Sequence, residues 1–324
     1  MSKQKVLILG ATGHTGESIL NGLLKDLESF DVEALVRPSS VDKPQVKNLA
    51  AKGVKTRVVD IDGPLDELVK ALTGIDVLIS AIDATSQLAQ LQLVTAAKKA
   101  GVKRFVPCAF ITVAPAGGVF ELRDAKEQVY QDIWKQYVPY TIIDVGYWHQ
   151  ISFPMLPSGR VDYASHMKPK VEIHAGGTAP TLLTDLRDIG PFVARIIKDP
   201  RTLNKFVFTY SDVLSENEIF ALMEEMSGEK IEQRKYVSAD DIIAARDKAA
   251  ADIKADPANR MAQLMRIRAD YKYSKYVRAD NTPAYAKYLG YLDARELYPD
   301  FQPITFRDFV GELLGGKLEM PHYH

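Results

Sequence analysis

The sequence predicts an α/β protein built on a doubly wound parallel sheet, with a smaller, mostly C-terminal second lobe. Three observations predict this fold class. An uninterrupted apolar run opens the chain at residues 6–9, glycines follow it directly, and segments typical of strands and helices then alternate as far as residue 145. Such apolar runs are typical of strands buried on both faces of a parallel sheet. The alternation indicates right-handed crossovers, with a ligand crevice at the carboxyl ends of the strands.

The first strand leads into a glycine-rich turn and a helix, KVLILGATGHTGESILNGLL at residues 5–24. In this arrangement Gly10 can take the tight turn, Gly13 lets the backbone approach a pyrophosphate, and Gly16 lets the helix pack closely on the strand. The unpaired N–H groups at the helix start would face the phosphates. The alternative is an ordinary strand–turn–helix without a ligand. The pattern predicts a dinucleotide-binding loop of the Rossmann type, made of Gly10, Thr12, Gly13, His14, Thr15 and Gly16.

A second strand is predicted at residues 32–36 and ends at Arg37 and Pro38. The side chain at this place in a dinucleotide fold meets the adenine ribose. A carboxylate there accepts from the 2′-hydroxyl, whereas an arginine pairs with a 2′-phosphate. Arg37 therefore predicts NADP(H) rather than NAD(H) as the cofactor. Lys43 either adds positive charge to the same site or is a solvated lysine on the next helix.

The remaining elements of the sheet follow in the same rhythm. Strands are predicted at residues 54–59, 75–80, 103–107 and 140–145, and helices at 65–72, 85–100 and 123–136. Leu88 and Val94 lie on the apolar face of the helix at 85–100, and Gly101 ends that helix. The carboxyl ends of the strands predict further cofactor contacts at Ser80, Ala81, Ile82, Cys108, Ala109 and Phe110.

The alternation loosens in the second half of the chain. Residues 152–177 are predicted to form an irregular excursion over the crevice, 181–197 a helix that returns to the sheet, and 205–209 a strand. Two domains are predicted from this pattern. They are an NADP-binding domain at 1–150, rejoined by 181–210, and a substrate-binding lobe at 151–324.

The C-terminal lobe contains two further helical signals. Ser215 and Glu218 have the spacing of a capping box at the start of a helix at 215–226. Residues 239–269 are strongly helical and mix both signs of charge, which predicts a solvated helical cap.

The composition is that of an ordinary soluble globular protein, with 324 residues of which 46% are hydrophobic and 26% charged. The formal net charge of −1 provides no basic field that would favour nucleic acid or an anionic membrane as a partner. The single cysteine, Cys108, excludes an internal disulfide and a multi-thiolate zinc site, and no metal ion is expected. No apolar stretch approaches the roughly 20 residues that span a bilayer. These features predict a cytoplasmic protein that is a monomer or a homodimer.

Two lysines are candidates for handling the proton that accompanies hydride transfer. Tyr271 and Lys275 have the Tyr-x-x-x-Lys spacing of short-chain dehydrogenases. Because that pair belongs on the helix before the sixth strand, far earlier in the chain, we interpret this match as coincidental. Lys126 does lie on that helix, where partial desolvation would lower the pKa of its ammonium group. The alternative for Lys126 is an ordinary surface lysine.

Several segments spread over nearly the whole chain carry a family resemblance. They are GATGHTG, IDVLISA, AGVKRFVP, VPYTII, DPRTLNKFVF, LSENEI and LYPDFQPITFRDFV. Together they resemble the isoflavone reductase-like family, which includes phenylcoumaran benzylic ether and pinoresinol–lariciresinol reductases, within the NmrA-like atypical short-chain dehydrogenases. The resemblance implies NADPH-dependent reduction of an aromatic or phenolic secondary metabolite. It also implies that Lys126 is the general acid or base and that Arg37 binds the 2′-phosphate.

Two segments at the crevice depart from the family pattern. The sequence PCAFI at 107–111 replaces Pro-Ser-Glu-Phe-Gly, and DVGYWH at 144–149 replaces an Asn-rich segment. His149 and Asp144 could steer a substrate hydroxyl or act as auxiliary acid and base, and the alternative for the aromatic side chains is core packing. The substitutions predict an aromatic substrate pocket formed by Phe110, Tyr147, Trp148, His149 and Phe153.

These observations support two functions of different classes. In the first, the protein is a reductase whose nicotinamide delivers hydride to an aromatic small molecule while Lys126 manages the proton. In the second, it is an NmrA-like regulator that binds NADP(H) and a protein partner without turnover. Lys126 favours the enzyme, because a sensor needs no acid or base.

Overall fold

The structure is a computed structural model that describes residues 3–165 and 171–319. Its strands are β1 (Gln4–Leu9), β2 (Phe30–Val36), β3 (Lys55–Val58), β4 (Val77–Ser80), β5 (Arg104–Val106), β6 (Thr141–Asp144), β7 (Tyr147–Trp148), β8 (Glu172–His174), β9 (Thr181–Thr184), β10 (Lys205–Phe208), β11 (Asp212–Leu214), β12 (Lys235–Val237) and β13 (Leu292–Asp293). Its α-helices are α1 (His14–Leu24), α2 (Pro44–Ala51), α3 (Leu65–Leu72), α4 (Gln90–Ala100), α5 (Glu121–Lys135), α6 (Leu186–Lys198), α7 (Glu216–Ser227), α8 (Ala239–Ala255), α9 (Arg260–Lys272), α10 (Pro283–Tyr288), α11 (Ala294–Leu297) and α12 (Phe306–Leu314). A π-helical turn, Tyr273–Val277, continues α9.

The central feature is a parallel sheet with the strand order β3-β2-β1-β4-β5. It continues to β6 through one parallel bridge between Phe105 and Tyr140, and β6 then pairs in parallel with β10, as β10 does with β13. The ladder narrows to a bridge here because Pro107 after β5 and Pro139 before β6 have no N–H to donate. The predicted doubly wound parallel sheet is therefore confirmed.

Both faces of this sheet are buried, as the apolar run at its start predicts. Val6 and Ile8 of β1 belong to one hydrophobic cluster, which includes residues of α1 and α6. Leu7 and Leu9 belong to a second cluster, which includes residues of α3, α4 and α5. Successive side chains of a strand point to opposite faces, so a strand covered on both sides needs no polar alternation.

The predicted helix at 181–197 is wrong at its start. The first four residues form β9, which is buried and pairs antiparallel with β11 and parallel with β7. The helix α6 begins only after Asp185, whose side chain accepts a hydrogen bond from the N–H of Arg187 and so caps it. The threonines at both ends of TLLT favour a strand, and the flanking strands satisfy its backbone groups.

Other predicted elements are present in the structure, although the extents of some helices differ from the prediction. Ser215 and Glu218 form the expected capping box at the start of α7. Leu88 lies in a 3₁₀ turn and is 46% exposed, so the apolar face of α4 begins beyond it. The segment 239–269 is divided around Pro257 into α8 and α9. Both helices line a large cavity, so the prediction of a solvated cap is incomplete.

Two predictions have no outcome. Residues 166–170 of the predicted excursion at 152–177 lie outside the described residues. The helix α6 and strand β10, within 181–210, pack on the parallel sheet, while the domain boundary at residue 150 stays a prediction.

A close glycine contact joins α1 to α6. A Cβ atom on Gly22 would lie 2.3 Å from the carbonyl carbon of Gly190, and one on Gly190 would lie 1.9 Å from the carbonyl oxygen of Ser18. We expect Gly22→Ala to lower the free energy of unfolding by about 1 to 3 kcal/mol, because the two helices must separate. Gly311→Ala in α12 is the matched control, since its Cβ would meet Cε of Met226 at 3.8 Å, and it should stabilise by up to about 1 kcal/mol. Equal effects of both substitutions in chemical denaturation would contradict this contact.

Candidate active site

The three glycines of the loop between β1 and α1 differ in the contacts that a Cβ atom would make at each position. Gly10 has φ of +82°, and a Cβ there would lie 2.4 Å from the carbonyl oxygen of Ala81. A Cβ on Gly16 would lie 2.0 Å from the carbonyl oxygen of Gly10, so this glycine lets the helix pack on the turn. A Cβ on Gly13 would meet that same oxygen at 3.6 Å, an ordinary contact. The protein's own packing therefore requires Gly10 and Gly16 but not Gly13, which fits a loop whose middle glycine faces a ligand.

The start of α1 is also suited to binding a ligand. Gly13 is the N-cap residue of α1 and has no side chain with which to cap the first N–H groups. Thr12, His14 and Thr15 are half-buried around this turn. The first N–H groups of the helix are therefore not capped by a side chain of the N-cap residue, and uncapped helix starts of this kind can bind phosphate.

The other predicted cofactor positions lie along the carboxyl edge of the sheet. Arg37 and Lys43 are exposed after β2, where each precedes a short helical turn or helix. Ser80 is fully buried opposite Leu9, and the half-buried Ala81 and Ile82 follow it beside the glycine loop. Cys108, Ala109 and Phe110 are all buried after β5.

Lys126 of α5 is buried beneath this edge, with only 2% of its surface exposed. Its Nζ donates to the carbonyl oxygen of Cys108 at 2.6 Å and to Oε1 of Gln87 at 2.9 Å. Burial lowers the pKa of the Lys126 ammonium group below its usual value. The lysine is therefore held at the segment after β5, and the surface-lysine alternative is wrong.

Two glutamines that sequence reasoning missed fix this segment. The Nε2 group of Gln90 donates to the carbonyl oxygen of Gln87 at 3.2 Å, and its Oε1 accepts from the N–H of Cys108 at 2.7 Å. Both side chains are at most 2% exposed. Gln87 lies in the 3₁₀ turn before α4 and Gln90 is the first residue of α4, and a spacing of three at such a turn is a signal that places both amides on one side.

Asp144, at the carboxyl end of β6, is a second buried ionisable group near Lys126. Its Oδ2 accepts from the hydroxyl of Tyr291 at 2.8 Å. Burial raises the pKa of Asp144 to about 6, although the nearby guanidinium of Arg123 opposes the rise. Its auxiliary acid–base role stays a prediction.

A large cavity of about 1160 Å³ opens beside this edge of the sheet. Its aromatic wall includes Phe110, Tyr147 and Trp148, as the sequence predicts. Phe110 has φ of +47° and is held by its N–H, which donates to the carbonyl oxygen of Ile143 at 2.8 Å. The ring of Trp148 in the cavity wall lies 6.4 Å from the ring of His14 in the glycine loop.

Two residues predicted for this pocket lie elsewhere. His149 is fully buried, with its ring 5.1 Å from that of Phe306 and 5.5 Å from that of Phe309. Phe153 is 3% exposed and also packs on Phe309. The 3₁₀ turn after Trp148 directs both side chains into the core beneath α12. Their assignment to the substrate pocket is wrong, and they are core residues.

The Tyr-x-x-x-Lys pair that we set aside does lie at the cavity. Tyr271 and Lys275 both line its wall, although they lie far along the chain from the helix where that pair is expected. The ring of Tyr271 packs on Phe120 at 4.5 Å and on Tyr147 at 5.8 Å. Sequence position gave no sign of this, because α9 reaches the cavity through tertiary packing.

Two further properties of residues 3–165 and 171–319 concern metal ligation and membrane insertion. Within these ranges no group of three or more His, Cys, Asp or Glu side chains is placed to hold a metal ion. None of the helices described there has the length and apolar character needed to cross a bilayer.

The parallel sheet and the glycine loop together define a Rossmann-type α/β protein. The chain belongs to the NmrA-like family, whose model matches residues 2–310. This confirms the family resemblance in the sequence.

Relatives with dehydrogenase and reductase-like names match the chain over almost their full lengths. It is 43% identical to asnovolin J 5′,6′-dehydrogenase of Aspergillus novofumigatus, covering 96% of this chain and 95% of that protein. It is 30% identical to an isoflavone reductase-like protein of Olea europaea, covering 96% and 99%. The structure of the leucoanthocyanidin reductase–NADPH complex from Vitis vinifera has a TM-score of 0.80 at 24% identity, covering 96% of this chain and 99% of that one. This last likeness concerns the fold.

Proposed function

We propose that the protein is an NADP(H)-dependent oxidoreductase that transfers hydride between the nicotinamide and an aromatic or phenolic secondary metabolite. The observation that carries this proposal is the glycine loop, in which packing accounts for Gly10 and Gly16 and leaves the side of Gly13 to a ligand. The relatives named dehydrogenases and reductases support the reaction class.

Each part of the cofactor has a proposed partner along the carboxyl edge. The pyrophosphate binds at Gly10, Thr12, Gly13, His14, Thr15 and Gly16, where the first N–H groups of α1 are available. Arg37 and Lys43 hold the 2′-phosphate. Ser80, Ala81, Ile82, Cys108, Ala109 and Phe110 form the wall beside the nicotinamide. When bound, the cofactor supplies or accepts the hydride.

Lys126 handles the proton in this proposal. Its lowered pKa increases the neutral amine fraction near physiological pH, so the same group can act as a base or as an acid. The names of the relatives include both directions, a dehydrogenase at 43% identity and a reductase-like protein at 30%. Tyr147 and Trp148, with Phe110, offer ring faces on which an aromatic substrate can stack.

Replacing Arg37 by aspartate tests the cofactor assignment. We expect Arg37→Asp to weaken NADPH binding about tenfold or more and to improve the preference for NADH, because a charged hydrogen bond to the 2′-phosphate is replaced by repulsion. Titration with NADPH and with NADH measures the ratio of dissociation constants. Arg260→Asp, an equal charge change at an exposed residue of α9, should leave the ratio unchanged. An unaltered ratio in Arg37→Asp would refute the phosphate assignment.

The competing function is an NADP(H)-sensing regulator, and NADPH binding alone does not separate the two. NADPH oxidation with a panel of flavonoids, lignans and polyketides, together with NADP⁺ reduction by the reduced compounds, does so. Turnover with any member supports the enzyme, and tight cofactor binding without turnover in either direction supports the sensor.

A further inference from the structure

Lys275 lies in the cavity wall on the π-helical turn that continues α9, and only 2% of its surface is exposed. Its Nζ lies 3.1 Å from the ring centroid of Tyr147 and 4.5 Å from that of Tyr276. The same Nζ donates to the hydroxyl oxygen of Tyr276 at 3.0 Å. Departures from regular α-helix of this type are frequent at functional sites. A buried cation with an aromatic ring against it thus faces the same cavity as the proposed substrate site.

Tyr276 is fixed in a way that makes its oxygen an acceptor for Lys275. Its hydroxyl donates to Glu216, and burial raises its pKa well above the usual value, so it stays protonated. Its ring stacks on His174 with 4.9 Å between centroids and 5° between planes. Because the Tyr276 hydroxyl directs its hydrogen towards Glu216, its oxygen keeps a lone pair for the lysine.

The carboxylates that line the same cavity as Lys275 have partners of their own. Glu216 accepts from the backbone N–H of His174 at 2.7 Å and lies 2.9 Å from Nδ1 of the same residue. Glu172 pairs with Lys235 and Lys272, each at 2.9 Å. On α8, Asp252 pairs with Lys248 at 2.6 Å, and Asp241 accepts a hydrogen bond from the hydroxyl of Ser238, the N-cap residue. Glu172 and Asp252 are thus each paired with lysine side chains, and Arg268 leaves further positive charge in the cavity wall.

We propose that Lys275, oriented by the Tyr276 oxygen and the ring face of Tyr147, supplies the cation of an oxyanion subsite that binds a phenol substrate in its ionised form. The inference rests on the proposed function, since it concerns the substrate of the same cavity. A phenolate oxygen would receive a charge-assisted hydrogen bond from Nζ of Lys275, while its ring stacks in the aromatic wall. The subsite is separate from Lys126, so it determines which substrate binds and leaves the proton step to the other lysine.

The test compares two small probes that differ in one methyl group, 7-hydroxycoumarin and 7-methoxycoumarin. The absorbance of 7-hydroxycoumarin distinguishes phenol from phenolate, so its pKa can be measured while it is bound. We expect the wild-type protein to lower that pKa by about one unit or more, which is about a tenfold preference for the phenolate. In Lys275→Met the lowering should disappear and the affinity for 7-hydroxycoumarin at pH 8 should fall about tenfold, while the affinity for 7-methoxycoumarin stays within about twofold.

Lys254→Met is the matched control, because it removes the charge of an exposed lysine of α8. It should retain the lowered pKa of the bound probe. An unperturbed pKa on the wild-type protein, or the absence of saturable binding, would overturn the subsite without any variant. NADPH titration of the same samples separates the two proposals: its failure counts against the cofactor assignment, whereas a failed probe shift with intact NADPH binding counts against the subsite alone.

Discussion

Lys126→Met should slow turnover by at least about a hundredfold, the usual effect of losing a positioned acid or base, while NADPH binding stays nearly unchanged. Methionine keeps the length and apolar contacts of the side chain but cannot carry a proton. The buried ammonium group, held by Cys108 and Gln87, is the feature behind this expectation. Steady-state rates with a substrate from the panel, and NADPH titration of the same variant, measure the two effects separately.

A structural role for Lys126 would give a different result, because the lysine also fixes the segment after β5. The distinguishing readout is the pH profile of kcat. Burial lowers the pKa of this lysine below its usual 10.5. Dehydrogenation, which needs the neutral amine, should therefore rise with pH and level off above that lowered pKa, and reduction should fall over the same range. Lys135→Met, at the exposed end of α5, is the control. Wild-type profiles without such an inflection, or unaltered turnover in Lys126→Met, would remove the lysine from the mechanism.

Local sequence was enough to predict the glycine loop, whereas for Lys126 it gave only a candidate position and the family resemblance implied the role. Gly10, Gly13 and Gly16 act within one turn, so their spacing alone determines what backbone they allow. Lys126 could be found because the order of strands and helices fixes which helix precedes β6, and parallel crossovers then fix the edge of the sheet to which it is directed. No contact between distant segments is needed for either prediction.

The rest of the site depends on packing between distant segments. His149 and Phe153 follow two cavity residues directly, yet Phe306 and Phe309 of α12 draw them into the core. Conversely, the π-helical turn brings Lys275 onto the ring of Tyr147, far from it in the chain. The residues against which α12 and the π-helical turn pack cannot be predicted from the sequence, because an apolar or charged helix face is compatible with several partners.

The burial of His149 predicts a pH-dependent loss of stability. Burial lowers its pKa from 6.5 to about 4, although Asp185 at 3.8 Å opposes this. The unfolded chain therefore binds more protons than the folded one between these values, and stability falls as pH drops through that window. The difference amounts to about 3 kcal/mol at 1.36 kcal/mol per pKa unit. His149→Leu, which stays neutral between Phe306 and Phe309, should lack this loss.

Asp144 and Asp188, whose pKa values are raised to about 6, have the opposite dependence on pH. They are present in the wild type and in the variant, so their effects cancel in the comparison. Urea denaturation at pH 6.5 and pH 4 measures the two curves, and parallel curves would mean that His149 is solvated or paired when charged.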